Sequence, residues 1–191
     1  MKLEAEDVIK NSDDKEFVLK AVKENGKLLE FASNRLQDDK EVVKAALEQD
    51  AESLEFASDR LKGDKDIVLM GVRGAPWTIC YASEELKADR EVISEACKNY
   101  GQALYYASKE LRDDREIVKS AVENKGIIIK YASERLQNDK ELAEIAVKQN
   151  KQAYHFLPWN LKNDEDIKKC MEWLALFQNY LYNKSGKKGY G

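Results

Sequence analysis

The chain is short of nearly everything that ends a helix or builds a disulfide scaffold. Its 191 residues include two prolines, nine glycines and three cysteines. Cys80, Cys97 and Cys170 are odd in number and form no CxxC pair, which argues against both a disulfide framework and a zinc site. A reducing, cytoplasmic setting is the simple expectation. No apolar run approaches the roughly 18 residues of a membrane span. The opening Met-Lys-Leu-Glu-Ala-Glu-Asp has no hydrophobic signal core. Neither a Gly-rich phosphate loop, nor a paired-carboxylate site, nor a metal-ligand cluster is visible, and His155 is the single histidine. The reading is therefore not an enzyme, with no cofactor and no metal. A net charge of −4, with Lys184, Lys187 and Lys188 gathered near the end, supplies no cationic stripe for phosphate backbones. Nucleic acid is a poor candidate partner.

What is present is a period. Phe-Ala-Ser-x-x-Leu-x-x-Asp begins at Phe31 and returns from Phe56, Tyr81, Tyr106 and Tyr131, with a degraded copy at Phe156, every 25 residues without slip. A strict period in this range marks a stacked solenoid, whose core lengthens with each added unit. Hydrophobic residues at 43% and charged residues at 36%, with few breakers, make the units helical. The expected fold is an all-α solenoid of six 25-residue helix-turn-helix units over 14–163. A capping helix is expected over 1–13, a second over 164–182, and a disordered basic tail over 183–191.

Numbered from its first residue, each unit opens on an aspartate: Asp14, Asp39, Asp64, Asp89, Asp114 and Asp139, with Asp164 opening a partial seventh. In the six full copies it precedes a cation, an acid and an apolar residue, which is the pattern of a helix N-cap. Unit positions 4, 5, 8 and 9 are apolar, as in Val42, Val43, Ala46 and Leu47, and position 8 is always small. Gly26, Gly101 and Gly126 stand where a left-handed residue would end this helix. The second helix is predicted to bury positions 15, 16, 18, 19 and 23, for example Leu29, Phe31, Ala32 and Leu36. Position 20 is serine in five units, where it can bond back to the i−4 carbonyl; five equivalents without an adjacent histidine are structural, not nucleophilic. Pro158 falls inside the sixth copy's second helix and is expected to bend or shorten it. The apolar residues from Ile167 to Leu181 are expected to close the last groove.

The phrases Leu-Glu-Phe-Ala-Ser-Asp-Arg-Leu-Lys-Gly-Asp-Lys-Asp-Ile-Val (54–68) and Ala-Leu-Tyr-Tyr-Ala-Ser-Lys-Glu-Leu-Arg-Asp-Asp-Arg-Glu-Ile-Val (103–118) resemble the domain of unknown function 4116 family. The resemblance covers about 14–167. It implies tandem helical hairpins and carries no activity or site residues to transfer.

Repetition supplies an internal comparison. Columns alike in every copy are explained by stacking, and columns that vary are free for another task. Positions 14, 17 and 21 should face outward from the second helix. In the first two units they read Lys27, Glu30, Asn34 and Glu52, Glu55, Asp59, an ordinary wet surface. Later units place Trp77, Cys80, Tyr105, Ile127, Lys130, His155 and Trp159 there. If the units stack in parallel, these form one strip, and large apolar groups on an exposed strip mark a partner site. The expected function is a non-catalytic protein–protein interaction module, a monomer or weak homodimer, binding another protein through the second-helix face of units three to six. The alternative is an inhibitor or effector whose acidic body blocks a partner enzyme's basic channel. Burial of these positions by solenoid curvature is the structural alternative.

Overall fold

Ten-residue helices follow six of the register aspartates, and a twenty-residue helix follows the seventh. They are Lys15–Glu24, Lys40–Gln49, Lys65–Gly74, Arg90–Asn99, Arg115–Asn124, Lys140–Gln149 and Glu165–Lys184. The computed structural model describes residues 3–184, with side chains except at 178, 179 and 181–183. The aspartates are N-caps: Asp39 accepts from the N–H groups of Glu41 and Val42, and Asp114 from those of Glu116 and Ile117. Each such cap is worth about 1 kcal/mol against alanine.

The other half of the unit is not the second α-helix that the periodicity predicts. Positions 13–18 wind as a 3₁₀ helix, such as Gly26–Phe31 or Gly126–Tyr131, and position 20 then caps a one-turn helix such as Asn34–Gln37 or Glu134–Gln137. Serine causes the break. At Ser33 the backbone is extended (φ −62°, ψ 154°), and the hydroxyl accepts from the Leu36 N–H at 3.4 Å. Ser58 and Ser133 do the same for Leu61 and Leu136 at 3.2 Å, so the hydroxyl caps forwards and does not bond back to a carbonyl. Pro158 occupies the same capping place (φ −60°, ψ 157°) ahead of Trp159–Lys162, where a missing N–H breaks no helix. Its cost is one bond between units. In earlier copies the position-20 N–H donates to the position-24 carbonyl of the unit before, as Ser58 does to Gln37 at 3.0 Å.

The glycines also have a different reason from the one the sequence suggests. The residue ending the first long helix is Asn25, which is extended (φ −153°, ψ 106°), and no left-handed residue is needed. Gly26, Gly101 and Gly126 are required by the neighbouring unit. A Cβ on Gly126 would lie 2.2 Å from the Ala146 carbonyl oxygen, and one on Gly26 2.4 Å from that of Ala46. The same close approach lets the Gly126 N–H donate to Gln149 Oε1 at 2.6 Å.

The units stack in file. Each ten-residue helix packs on the next long helix, on its own 3₁₀ segment and, from the second unit on, on the 3₁₀ segment before it, while successive 3₁₀ segments lie side by side. The core is one continuous column in which Val118, Ala121, Val122, Ile129 and Leu136 of the fifth unit are fully buried, and their counterparts in the units before are buried too. Each large side chain contributes about 1.5–3 kcal/mol by leaving water. Position 18, predicted to be core, is only half-buried, and Phe156 is 39% exposed. Three residues per turn, instead of 3.6, swing this column to the side of the element.

Both ends depart from plain caps. Near the start, Ala5–Lys10 is helical with Val8 buried and Ile9 exposed. At the other end Glu165–Lys184 seats Ile167 in the core, with Cys170, Met171 and Leu174 half-buried. Trp173, Leu176, Phe177 and Tyr180 face water, so the last groove is closed by one side of this helix only. At about 30 Å it outruns its ten-residue neighbour by roughly 15 Å. The tail expected over 183–191 falls, from 185 onward, outside the described residues.

A ladder of charge crosses every joint. The position-2 cation reaches the cap aspartate of the next unit: Lys15–Asp39 at 2.8 Å, Lys40–Asp64 at 2.7 Å, Lys65–Asp89 at 2.8 Å, Arg90–Asp114 at 2.9 Å, Arg115–Asp139 at 3.0 Å and Lys140–Asp164 at 2.9 Å. Partial burial opposes the charge on Asp39, Asp64, Asp89 and Asp114. The cation and the first-turn N–H groups outweigh it and hold these carboxyls below their ordinary range. Hydrogen bonds to the next unit's acids raise Lys15, Lys40 and Lys65.

Gly126→Ala should destabilise the chain by about 1–3 kcal/mol in urea unfolding, because backbone must move to admit the methyl group. Gly63→Ala should be neutral or slightly stabilising, since its Cβ would approach nothing closer than 3.4 Å; equal losses at both sites would refute the close-approach account. Depressed carboxyl pKa values stabilise the fold above the ordinary carboxylate range and lose that contribution as pH falls. Raised lysines do so below their ordinary value and lose it as pH rises. The urea midpoint should therefore be level from about pH 5 to about pH 9 and fall steeply below about pH 4. An unchanged midpoint at about pH 3 would contradict the ladder.

Candidate partner-binding face

A 3₁₀ helix eclipses residues three apart, so positions 14 and 17 form one outer ridge. Position 21 lies on the separate one-turn helix and not on the same element, as the sequence had suggested. The ridge is continuous from unit to unit. Lys27 Nζ pairs with Glu52 Oε2 at 2.7 Å, and the Trp77 indole N–H donates to Glu52 Oε1 at 3.2 Å, linking position 14 of the first three units.

By exposure the predicted residues divide into two groups. Trp77 is 47% exposed, Tyr105 57% and Trp159 79%, and His155 is exposed beside Tyr154. Cys80, Ile127 and Lys130 are half-buried. Burial pushes the Cys80 thiol up, and burial with the nearby Glu55 pushes the Tyr81 phenol up to about 12. Tyr105, Ile127 and Lys130 come together. They line a cavity of about 290 Å³ between units four and five, whose other walls include Tyr100, Tyr106, Lys125 and Tyr131. Trp77, His155 and Trp159 do not line it.

Within the cavity the rings brace one another. Tyr105 meets Tyr106 and Tyr131 edge-on, both with centroids 5.1 Å apart. Lys130 Nζ stands 4.8 Å from the Tyr131 ring and 5.2 Å from that of Phe156. Tyr100, Tyr106, Tyr131 and Phe156 are the residues that the sequence reading missed, three of them because position 18 was assigned to the core. A signal existed: position 18 is Tyr in units three to five, and a phenol in a repeated column marks an edge that reaches water.

The position-20 serines accept from the backbone N–H three residues on and act as caps. Burial pushes the Cys97 thiol up to about 12 and raises that of Cys170, the opposite of what an attacking thiolate requires. Among the described residues no group of three or more His, Cys, Asp or Glu side chains is placed to hold a metal, and no helix is long and apolar enough to cross a membrane.

Fold and face together define an all-α repeat solenoid with an open aromatic ridge. The model of the domain of unknown function (DUF4116) matches three times in tandem, over 14–62, 64–112 and 114–162, and the chain belongs to this family. Each match spans two of the 25-residue copies. No curated protein and no solved structure matches the chain.

Since Trp77, Trp159 and Trp173 are all exposed, native tryptophan emission should be readily quenched by acrylamide and should shift little on unfolding in urea. A blue-shifted, protected emission would mean that the ridge is covered.

Proposed function

We propose that this chain is a non-catalytic protein-interaction module working in a reducing, cytoplasmic setting, whose partner docks along the ridge of units three to six. One observation carries the reading. The outer columns hold an ion pair in the first two units, Lys27 with Glu52, and in units three and four the large exposed rings of Trp77 and Tyr105. Exposed aromatic groups in consecutive units supply anchors for a partner surface. Rigidity favours them further, because Trp77 is tied to Glu52 and Tyr105 is braced by two other rings. Anchors fixed beforehand lose little side-chain entropy on binding.

The test is affinity capture with mass spectrometry, comparing the full chain with Trp77→Ala/Tyr105→Ala and with a control, Lys44→Ala/Glu48→Ala, on the exposed side of the long helices. The ridge variant should lose the captured partner with its helicity unchanged, while the control keeps it. Identical captures by all three proteins would remove the ridge as the contact surface. A complex that survives from low salt to about 0.5 M supports apolar docking; one that dissociates steeply points to the acidic body in a basic channel.

A further inference from the structure

Charge is not uniform along the ridge. The position-2 cations are all matched to aspartates of the following unit. The cavity between units four and five is lined by two cations, Lys125 and Lys130, and by no acidic side chain. Lys130 rests on the Tyr131 and Phe156 rings and makes no ion pair among the described residues. Beyond Tyr131 a second recess holds Lys109 and Arg112, with Glu134 also in its lining. The Arg112 Nε–H is buried without an acceptor. A guanidinium that lines a recess is the cation best matched to a carboxylate.

We infer that this double recess receives an aromatic side chain flanked by acidic residues, presented by a segment of a protein partner. The ring enters the cavity and packs against the wall that the joined Tyr105 and Tyr131 rings form. One acid meets Lys125 and Lys130, and another reaches Lys109 and Arg112 on the far side of Tyr131. Space permits it: about 290 Å³ exceeds the roughly 150 Å³ apolar cavity that accommodates benzene. The walls present both ring edges and faces, which suit edge-to-face packing of a further ring. A nucleic-acid strand fits less well. Its phosphates would run along a ridge that also carries Glu52 and Glu55 on a chain of net charge −4.

This inference rests on the interaction-module reading and narrows it to one docking point. The experiment is selection of a random library of roughly twelve-residue peptides on the full chain, followed by anisotropy of the enriched, labelled peptides. Enrichment of Phe, Tyr or Trp next to Asp or Glu is expected. Affinity should weaken at least about tenfold in Lys130→Glu and in Tyr105→Ala, stay within about twofold in Tyr105→Phe and Lys44→Glu, and fall with salt. Lys125→Glu, an exchange at the surface, gives the same readout should Tyr105→Ala disturb the fold. Peptides lacking the acidic-aromatic pattern, or indifferent to both lysine exchanges, would overturn the inference. Should those peptides still require Trp77, the module reading stands without this docking point; should they ignore Trp77 also, both fail. A labelled oligothymidylate that binds more tightly than any peptide and is lost in Lys130→Glu would overturn it in favour of nucleic acid.

Discussion

One carboxylate at each joint serves two units. The position-1 aspartate caps its own helix and holds the cation that opens the helix before it, so the same atoms fix where a helix starts and where the next must lie. Neither bond is strong. A cap is worth about 1 kcal/mol, and an ion pair this close to solvent less. Their effect is on register. A residue inserted anywhere between two aspartates would move the cation from its partner and the leucine column from its groove, and this explains a period that never slips. The stabilisation itself comes from the apolar column, since isolated ten-residue helices are marginal in water. No unit buries its apolar face alone, and each becomes stable only against its neighbours.

The joints differ in how much else crosses them. At the joint of units one and two, Asp38 accepts from Ser58 and from Arg60 Nε at 2.9 Å. Asp113 does the same for Ser133 and Arg135 between units four and five. Where the aspartate is replaced by Gly63 or Ala88, the facing arginine is replaced by Glu85 or Glu110. These glutamates turn back on their own backbone N–H and on Ser83 and Ser108, which holds both carboxyls below their ordinary range. An arginine left there would have had no partner, so the two changes belong together. Pro76 also has no N–H to offer Asn99, where Gly101 donates to Asn124 one unit later. The joints on either side of unit three are thus held mainly by the ladder and the core, and the aromatic ridge begins in this unit with Trp77.

How much of this was legible in the sequence depended on whether the cause was local. The period, the aspartate caps and the small residue at position 8 are local patterns repeated many times, and they specify the solenoid. The broken second element was hidden because Leu29, Ala32 and Leu36 satisfy a continuous helix and a 3₁₀ segment with a following turn equally well. Ser33 and its equivalents were the overlooked signal, and Pro158 in the same column says that position 20 is not interior to a helix. The glycines were misread because their cause is tertiary: nothing near Gly126 in the chain reveals the Ala146 carbonyl. Apolar spacing on the last helix reads alike whether a face is covered or bare, so Trp173 and Phe177 were assigned to a closed groove. The ridge was found by comparing copies. The cavity was not, since its walls combine a variable residue, Tyr105, with a repeated one, Tyr131.

That mixture explains how a repeat can acquire a specific surface without losing its fold. Position 18 must be aromatic in every unit to shield the side of the core, so a row of half-exposed rings exists before any partner is considered. A second ring at position 17 of one unit then reaches two members of that row at once, as Tyr105 reaches Tyr106 and Tyr131. A concave aromatic wall arises from a single variable position. Positions 12 and 17 of the next unit take different residues from copy to copy, and lysine at both, Lys125 and Lys130, gives the wall its charge. In the preceding joint the same two places hold Tyr100 and Tyr105, and in the one before that Ala75 and Cys80, so neither offers this pair of cations. The core and the cation–aspartate ladder are alike at all three joints, and the cationic aromatic wall arises in columns that vary from copy to copy.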